Sequence, residues 1–307
     1  MKILITGGVG YKGILLTKKM LDNGHNVTVM DNFMYGYNSI MHLIDHPRLS
    51  VIKLDVRNLK EKDVAGYDVV YHLAGISGMP ACAQNPASAE AINVHSTRQL
   101  VKFLSKDQIL INASTTSMYG ANDKICDENT KIEPERLSLY GKTKYEAERI
   151  VQEREGSISL RFATVFGVSP RMRNELLPND FVYKAINDRS IVMFASNSKR
   201  TFVHITDAVN AYAFALENFD KMKGEVYNVG TAKMNLSKMD IALEISKYIK
   251  CELIDSSLPD ADIRNFEISF DKLHSLGYDV KYTFEDGIKE LVKLYSFYVQ
   301  YLPYQII

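Results

Sequence analysis

Three things are scarce in this chain, and each scarcity excludes a class of protein. The first is charge of one sign: 37 Lys and Arg balance 37 Asp and Glu over 307 residues, a formal net charge of zero. Proteins that bind nucleic acid draw affinity from clustered phosphate neutralisation, so a long polyanion is a poor partner here. The second is cysteine. Cys82, Cys126 and Cys251 stand apart with no C-x-x-C pair, which argues against a disulfide framework or a zinc site and fits a reducing cytoplasm. No cluster of His, Asp or Glu has metal-ligand spacing either. The third is a long apolar run: nothing approaches the roughly 18 residues that a membrane span needs. The N-terminus enters a strand-like run at once and leaves no room for a signal peptide. With 46% hydrophobic and 24% charged residues, the expectation is a folded, soluble, cytoplasmic chain.

What the chain does have is alternation. Short β-rich runs at 2–6, 26–30, 51–54, 69–73, 109–113 and 158–162 are separated by helical patterns at 13–23, 87–104 and 139–153. Strand and helix in turn give parallel strands joined by right-handed crossovers, with both sheet faces covered. The predicted fold is α/β with a doubly wound parallel sheet. Beyond Gly167 the rhythm loosens, with helices expected near 181–188, 207–218, 238–250 and 284–299 and strands near 191–194, 201–204 and 226–229. The expected division is a first domain over residues 1–168, rejoined by elements from about 200–230, and a smaller discontinuous α/β lobe over 169–307.

Between the first strand and the first helix lies Gly7-x-x-Gly10-x-x-Gly13. Glycines there permit a tight turn and close backbone approach, leaving the N–H groups of the helix start aimed at a pyrophosphate. Asp31 ends the second strand, eighteen positions past Gly13, where a carboxylate meets the ribose hydroxyls of a dinucleotide. Asp31 would repel a 2′-phosphate and Asn32 supplies no cation for one, which favours NAD over NADP. Tyr11 and Lys12 lie within the turn and are expected to belong to the cofactor site with its glycines. Lys12 either adds a cation near the pyrophosphate or points to solvent.

Tyr140 and Lys144 form Tyr-x-x-x-Lys at a helix start, where residues four apart share a face. A phenol with a pKa of about 10 must be lowered by roughly three units, about 4 kcal/mol, to serve as a base near pH 7, and an ammonium beside it supplies part of that. Taken alone, such a pair also describes a solvated helix face in a chain with 18 tyrosines. The hydroxyl cluster Ser114-Thr115-Thr116-Ser117 changes the weighing, because it follows an apolar strand at the edge where open parallel sheets bind ligands. Thr115 is the expected hydrogen-bond partner of the substrate oxygen, with turn or capping roles for some of its neighbours.

These motifs resemble the extended short-chain dehydrogenase/reductases of the NAD-dependent epimerase/dehydratase family, which act on nucleotide sugars and have a Rossmann domain. The resemblance runs nearly end to end. It is carried by Thr6–Gly13, Asp31-Asn32, Asp55-Val56, His72–Gly75, Asn93, Ser114–Gly120, Tyr140-x-x-x-Lys144, Leu160–Gly167, Arg200–Asp207 and Tyr227–Gly230. It implies tightly bound NAD and a common first step, in which Tyr140 takes the proton of a sugar hydroxyl, usually at C4, while the C4 hydride passes to the nicotinamide. It also implies that Lys144 binds the nicotinamide ribose and that Asp55 and Val56 hold the adenine. Leu73, Ala74, Gly75 and Asn93 would line the cofactor groove. Ser77, Met79, Thr115 and Thr116 would face the sugar; Asn179, Arg200 and Arg264 would meet the nucleotide diphosphate or ribose. Arg171 and Arg173 read equally well as surface charges. A homodimer is implied, with neither nucleic acid nor membrane as partner.

The family's 4,6-dehydratases carry Asp-Glu directly after the active-site threonine, whereas Thr116 and Ser117 stand here and cannot supply that acid/base pair. A 4-epimerase or a 4-dehydrogenase remains. The stretch Ser169–Tyr183 is similar to that of GDP-manno-heptose 4-dehydrogenase-like members, which favours a GDP-heptose-type substrate for surface-polysaccharide synthesis. Thr164, where many epimerases have asparagine, weakens the alternative of a UDP-hexose 4-epimerase. A non-catalytic NAD sensor is a further alternative that the intact Thr115, Tyr140 and Lys144 set opposes. His72, His204 and Cys82 read as structural. The aromatic tail of Tyr295, Phe297, Tyr298, Tyr301 and Tyr304 reads as core packing plus an interface.

Overall fold

The computed structural model describes residues 1–258 and 265–298. Seven apolar segments organise it: β1 Lys2–Thr6, β2 Asn26–Asp31, β3 Leu49–Lys53, β4 Val69–His72, β5 Ile109–Thr115, β6 Ser157–Phe162 and β7 Val226–Val229. They form one parallel sheet in the order β3-β2-β1-β4-β5-β6-β7. Strands β4, β6 and β7 are buried at every position, since helices cover both faces. This is the expected doubly wound sheet. Its order reverses between β1 and β4, and the loops leaving those two carboxyl ends part to open a crevice.

Seven helices of eight or more residues are described: α1 Gly13–Asp22, α2 Ser96–Phe103, α3 Leu139–Gln152, α4 Leu177–Asn187, α5 Ile205–Glu217, α6 Lys238–Ser246 and α7 Phe284–Tyr295. Side-chain caps start several of them. Ser138 accepts the Gly141 N–H ahead of α3, and the pairs Ser237/Asp240 and Thr283/Asp286 make reciprocal capping boxes for α6 and α7. The single helix expected over 87–104 is instead interrupted: a helical turn at Pro86–Glu90 passes through a π-helical turn at Ala91–His95 before α2 begins. The wide turn carries Asn93, which is buried. Helix α4 begins four residues before the expected start, with Pro178 in its first turn.

The rest of the chain adds a second core at the carboxyl edge of the sheet. Thr164–Phe166, Lys199–His204 and Asn235–Ser237 form a three-stranded sheet, and Ser190–Phe194 pairs with Glu252–Ser256. Phe166, Phe202, Ile241, Ile288 and Leu291 are fully buried there, between α4, α6 and α7. Ala121–Cys126 pairs with Asn265–Ile268. Strand β7 and helix α5 belong to the first unit, where α5 packs against α1. In the tail, Tyr295 is buried against Tyr183 and Tyr298 and donates to Asn174 Oδ1, while Phe297 is exposed. Tyr301, Tyr304 and Arg264 lie outside the described residues.

Candidate active site

The crevice at the switch point is a cleft of about 820 Å³ lined by both units. Its floor is the glycine turn. Gly7 has φ +72°, and a Cβ there would lie 2.7 Å from the Ala74 backbone nitrogen. A Cβ on Gly13 would be driven into the Gly7 carbonyl oxygen, and one on Gly75 would meet Asn93 Oδ1 at 2.9 Å. These three positions therefore exclude side chains, and the cradle they leave fits the backbone-close approach of a dinucleotide. Asp31 Oδ2 accepts the Val9 N–H of the turn at 3.3 Å and Oδ1 accepts the Phe33 N–H at 2.8 Å. Burial pushes the Asp31 carboxyl above its ordinary range and these N–H bonds pull it back. Asp55 caps a short turn beginning at Val56. It is held well below the usual carboxylate range by Arg57, which donates from Nε and Nη2, while Asn32 donates to its Oδ2.

Asn93 works on this groove from behind. It accepts the Ile76 N–H at 2.8 Å and donates to Ile76 O and Thr143 Oγ1, each at 3.0 Å. It thus ties the loop carrying Leu73, Ala74 and Gly75 to α3. His72, beneath the same loop, bridges Thr6 Oγ1 and Thr97 Oγ1. Burial, with the Lys144 charge adding, brings His72 down to about 3, so it stays neutral at ordinary pH.

Thr115, Tyr140 and Lys144 line one wall of the cleft. Thr115 ends β5 beside Phe162, its partner in register on β6, and its Oγ1 exchanges hydrogen bonds with Ser117. Burial brings Lys144 down to about 8 against the pull of the Glu148 carboxylate one turn along α3. Glu148 is itself fixed: it accepts Ser114 Oγ at 2.7 Å and pairs with Arg161 at 2.7 Å, both side chains almost fully buried. Ser77 Oγ donates to the Tyr140 hydroxyl at 3.4 Å, and Arg173 Nη1 donates to Ser77 Oγ at 3.1 Å. Against burial, Glu175 and the nearby Tyr140 hold Arg173 charged. The phenol oxygen is therefore linked through Ser77 to a cation from a distant part of the chain, while Lys144 lines the same cleft one turn along α3. Arg173 enters the site across 96 positions of sequence from Ser77, a separation with no local signature.

Met79, Arg200 and Lys238 line the cleft farther out, with Val192 and Phe194. Arg200 is buried and donates to Lys199 O. Two expected substrate contacts are turned away. Asn179 is fully buried, accepting Gly167 N–H and donating to Tyr11 Oη and Arg173 O, so it braces the turn before α4 instead of facing a diphosphate. Thr116 is buried and donates to Phe162 O, because the turn after β5 folds it back onto the sheet. Tyr11 lines the cleft with its ring, but its hydroxyl is spent on Gly167 O at 2.6 Å. Lys12 points inward, 3.8 Å above the Phe162 ring, not to solvent. Among the described residues no group of His, Cys, Asp or Glu could hold a metal ion, and no helix is long and apolar enough to cross a membrane.

A glycine cradle at the switch point of a doubly wound sheet, facing a tyrosine and lysine across one cleft, defines a dinucleotide-dependent enzyme. The model of the NAD dependent epimerase/dehydratase family matches residues 3–230, and the chain belongs to that family, with NAD as its cofactor. It is 30% identical over 255 residues to the uncharacterized UDP-glucose epimerase YtcB of Bacillus subtilis, covering 76% of this chain and 78% of that protein. The crystal structure of UDP-glucuronic acid 4-epimerase from Bacillus cereus, in complex with UDP-glucuronic acid and NAD, has a TM-score of 0.83 at 26% identity, covering 96% of this chain and 99% of that one. UDP-glucose 4-epimerase from Thermotoga maritima, solved with UDP-glucose, shares the fold at 22% identity and a TM-score of 0.83, over 96% of this chain and 99% of that one.

Proposed function

We propose that the chain is an NAD-dependent nucleotide-sugar 4-epimerase acting on a UDP-sugar. The observation that carries this reading is the Tyr140 hydroxyl, hydrogen-bonded to Ser77 and through it to Arg173, in the one cleft that also holds Lys144 and the glycine cradle. Tyr140 is the general base that removes the proton from the sugar C4 hydroxyl. Bound NAD supplies the hydride acceptor. Thr115 donates to the same sugar oxygen and holds it in line, while Lys144 binds the nicotinamide ribose. After the ketone turns over, Tyr140 returns the proton as hydride comes back to the other face. The absence of an acid pair after Thr115 leaves no general acid to expel a C6 hydroxyl, which supports epimerisation over 4,6-dehydration. Asp31, Asn32, Asp55 and Val56 take the adenosine end. Ser77, Met79 and Arg200 take the sugar nucleotide, and Arg264 is proposed to join them. A homodimer completes the reading and is checked by light scattering.

One stretch, Ser169–Tyr183, favours a second reading: a 4-dehydrogenase acting on a GDP-heptose-type sugar, feeding surface-polysaccharide synthesis. The two separate cleanly. Incubation with UDP-glucose, UDP-glucuronic acid and a GDP-heptose, followed by chromatography and absorbance at the NADH band, should give a C4 epimer with no net NADH for the first reading. Ketone and NADH in equal amounts would establish the second. In either case Tyr140→Phe should lower turnover at least a hundredfold while NAD remains bound, since one general base contributes typically 10²–10⁴ in rate. Undiminished turnover in that variant would remove Tyr140 from the chemistry.

A further inference from the structure

Just after Gly167 the chain is attached at two points on the cofactor unit. Ser169 Oγ donates to the backbone carbonyl of Tyr11, in the glycine turn that follows β1, at 2.8 Å. Two residues on, the Arg171 guanidinium carbon lies 3.9 Å from the ring centroid of Tyr35, in the loop that follows β2. Strands β1 and β2 are neighbours in the sheet, so a dinucleotide seated on the glycine cradle with its ribose at Asp31 runs from the first loop to the second. Residues 169–171 therefore span the groove where pyrophosphate and adenosine ribose meet.

Both partners at the far attachment are held in place. Asp31 Oδ1 accepts the Phe33 N–H, Asn32 Oδ1 accepts the Met34 N–H at 3.0 Å, and Gly36 N–H donates to Phe33 O at 3.0 Å. Phe33 sits at φ +59°, kept there by its buried ring, which stacks 4.6 Å from that of Tyr37. The loop so fixed presents Tyr35 to the cleft, which it lines together with Arg171 and the cradle glycines. Arg171 is half-buried, and among the described residues it has neither a hydrogen-bond nor an ion-pair partner. Burial, with the Arg173 charge adding, lowers its guanidinium against Tyr35, Glu175 and Asp31, so it stands within electrostatic reach of the Asp31 carboxylate. A guanidinium stays charged in a protein, and a partly desolvated cation is costly until an anion meets it. We infer that Arg171 and Tyr35 form a clasp across the cofactor groove, in which the guanidinium binds the pyrophosphate and the Tyr35 ring fixes its orientation. The planar fork matches phosphate oxygens, and its face remains free to stack on the ring. This inference rests on NAD occupying the cleft and adds two residues that hold it there from opposite sides of the groove.

The test is the rate of cofactor release. The full chain, loaded with radiolabelled NAD, is chased with excess unlabelled NAD, as wild type, Arg171→Met, Tyr35→Leu and the double variant. Arg171→Met should release NAD on the order of tenfold faster, the scale of one hydrogen bond to a charged group. Tyr35→Leu should release it about threefold faster, and Tyr35→Phe, which keeps the ring, should hold the wild-type rate. The double variant should be no faster than Arg171→Met, because Tyr35 acts through Arg171. Affinity for ADP-ribose should fall in Arg171→Met while affinity for adenosine holds. An unchanged release rate in Arg171→Met or in Tyr35→Leu overturns the inference, and so do independent, multiplying effects in the double variant. Equal weakening of ADP-ribose and adenosine overturns it as well, since the groove rather than a phosphate contact is then lost. Should Arg171→Met fail to fold, Arg171→Gln carries the same outcomes. A wild type that binds no NAD would overturn the cofactor reading itself, a result distinct from bound NAD whose release is indifferent to Arg171.

Discussion

His72 shows how a residue inside a family motif does structural work. It sits between Thr6 and Thr97 with both ring nitrogens engaged, and burial with the Lys144 charge brings it down to about 3. An unfolded chain protonates its histidines near pH 6.5, so between about 6.5 and 3 the unfolded state takes up a proton that the folded state refuses. Stability from this group is full above pH 6.5 and is lost as pH falls toward 3, at up to about 1.4 kcal/mol per unit. Urea unfolding of His72→Asn at pH 7, 6 and 5 should show lower stability at pH 7 and a shallower decline into acid. A decline as steep as wild type would mean that another group carries the acid sensitivity. The structural role was legible in the sequence, because a lone histidine on a buried strand seldom does chemistry. Asn179 and Thr116 were not: a polar residue near a helix start or strand end reads as a ligand contact until its own hydrogen-bond partners are seen.

Among the elements, β1 to β7 were legible as short runs rich in apolar and β-branched residues set between turns, although only β4, β6 and β7 are buried throughout and β3 is largely exposed, and α3 because its cap and apolar spacing agree. The strands Ala121–Cys126, Thr164–Phe166, Asn235–Ser237, Glu252–Ser256 and Asn265–Ile268 were not expected. They are short, and several alternate with exposed polar residues or follow directly on another strand, so no local period marks them. Helix α3 shows best how one element joins stability to chemistry. Tyr140, Lys144 and Glu148 recur every four residues along it, and Glu148 neutralises Arg161 while raising Lys144 against burial. Glu148→Gln should therefore act twice. It leaves a buried guanidinium without its carboxylate, at about 3 to 5 kcal/mol of stability by denaturant unfolding. It also lets the Lys144 ammonium fall below about 8, so the alkaline limb of kcat/KM, where Lys144 loses its proton, should move to lower pH. A purely structural Glu148 would lower stability and leave that limb in place.

At the scale of the whole molecule, the cleft depends on how the second core is fastened to the cofactor turn. The fastening centres on Tyr11. Its hydroxyl donates to Gly167 O at 2.6 Å and accepts from Asn179 Nδ2 at 3.3 Å, and its backbone carbonyl accepts Ser169 Oγ at 2.8 Å. Across the mouth, the Arg171 guanidinium stacks 3.9 Å from the Tyr35 ring. The same residues that turn the chain toward α4 therefore also place Arg173 against Ser77. Sequence could not reveal this coupling, since Tyr11 and Gly167 lie 156 positions apart and neither belongs to a motif that names the other. Tyr11→Phe keeps the ring in the cleft and removes only the hydroxyl. It leaves the Gly167 carbonyl without its donor, costing about 1 to 3 kcal/mol in thermal or urea unfolding. If the fastening positions Arg173, the loss reaches the reaction: turnover should fall, because Ser77 loses the partner that holds it against the Tyr140 hydroxyl. A fall in stability with unchanged turnover would confine Tyr11 to holding the two cores together.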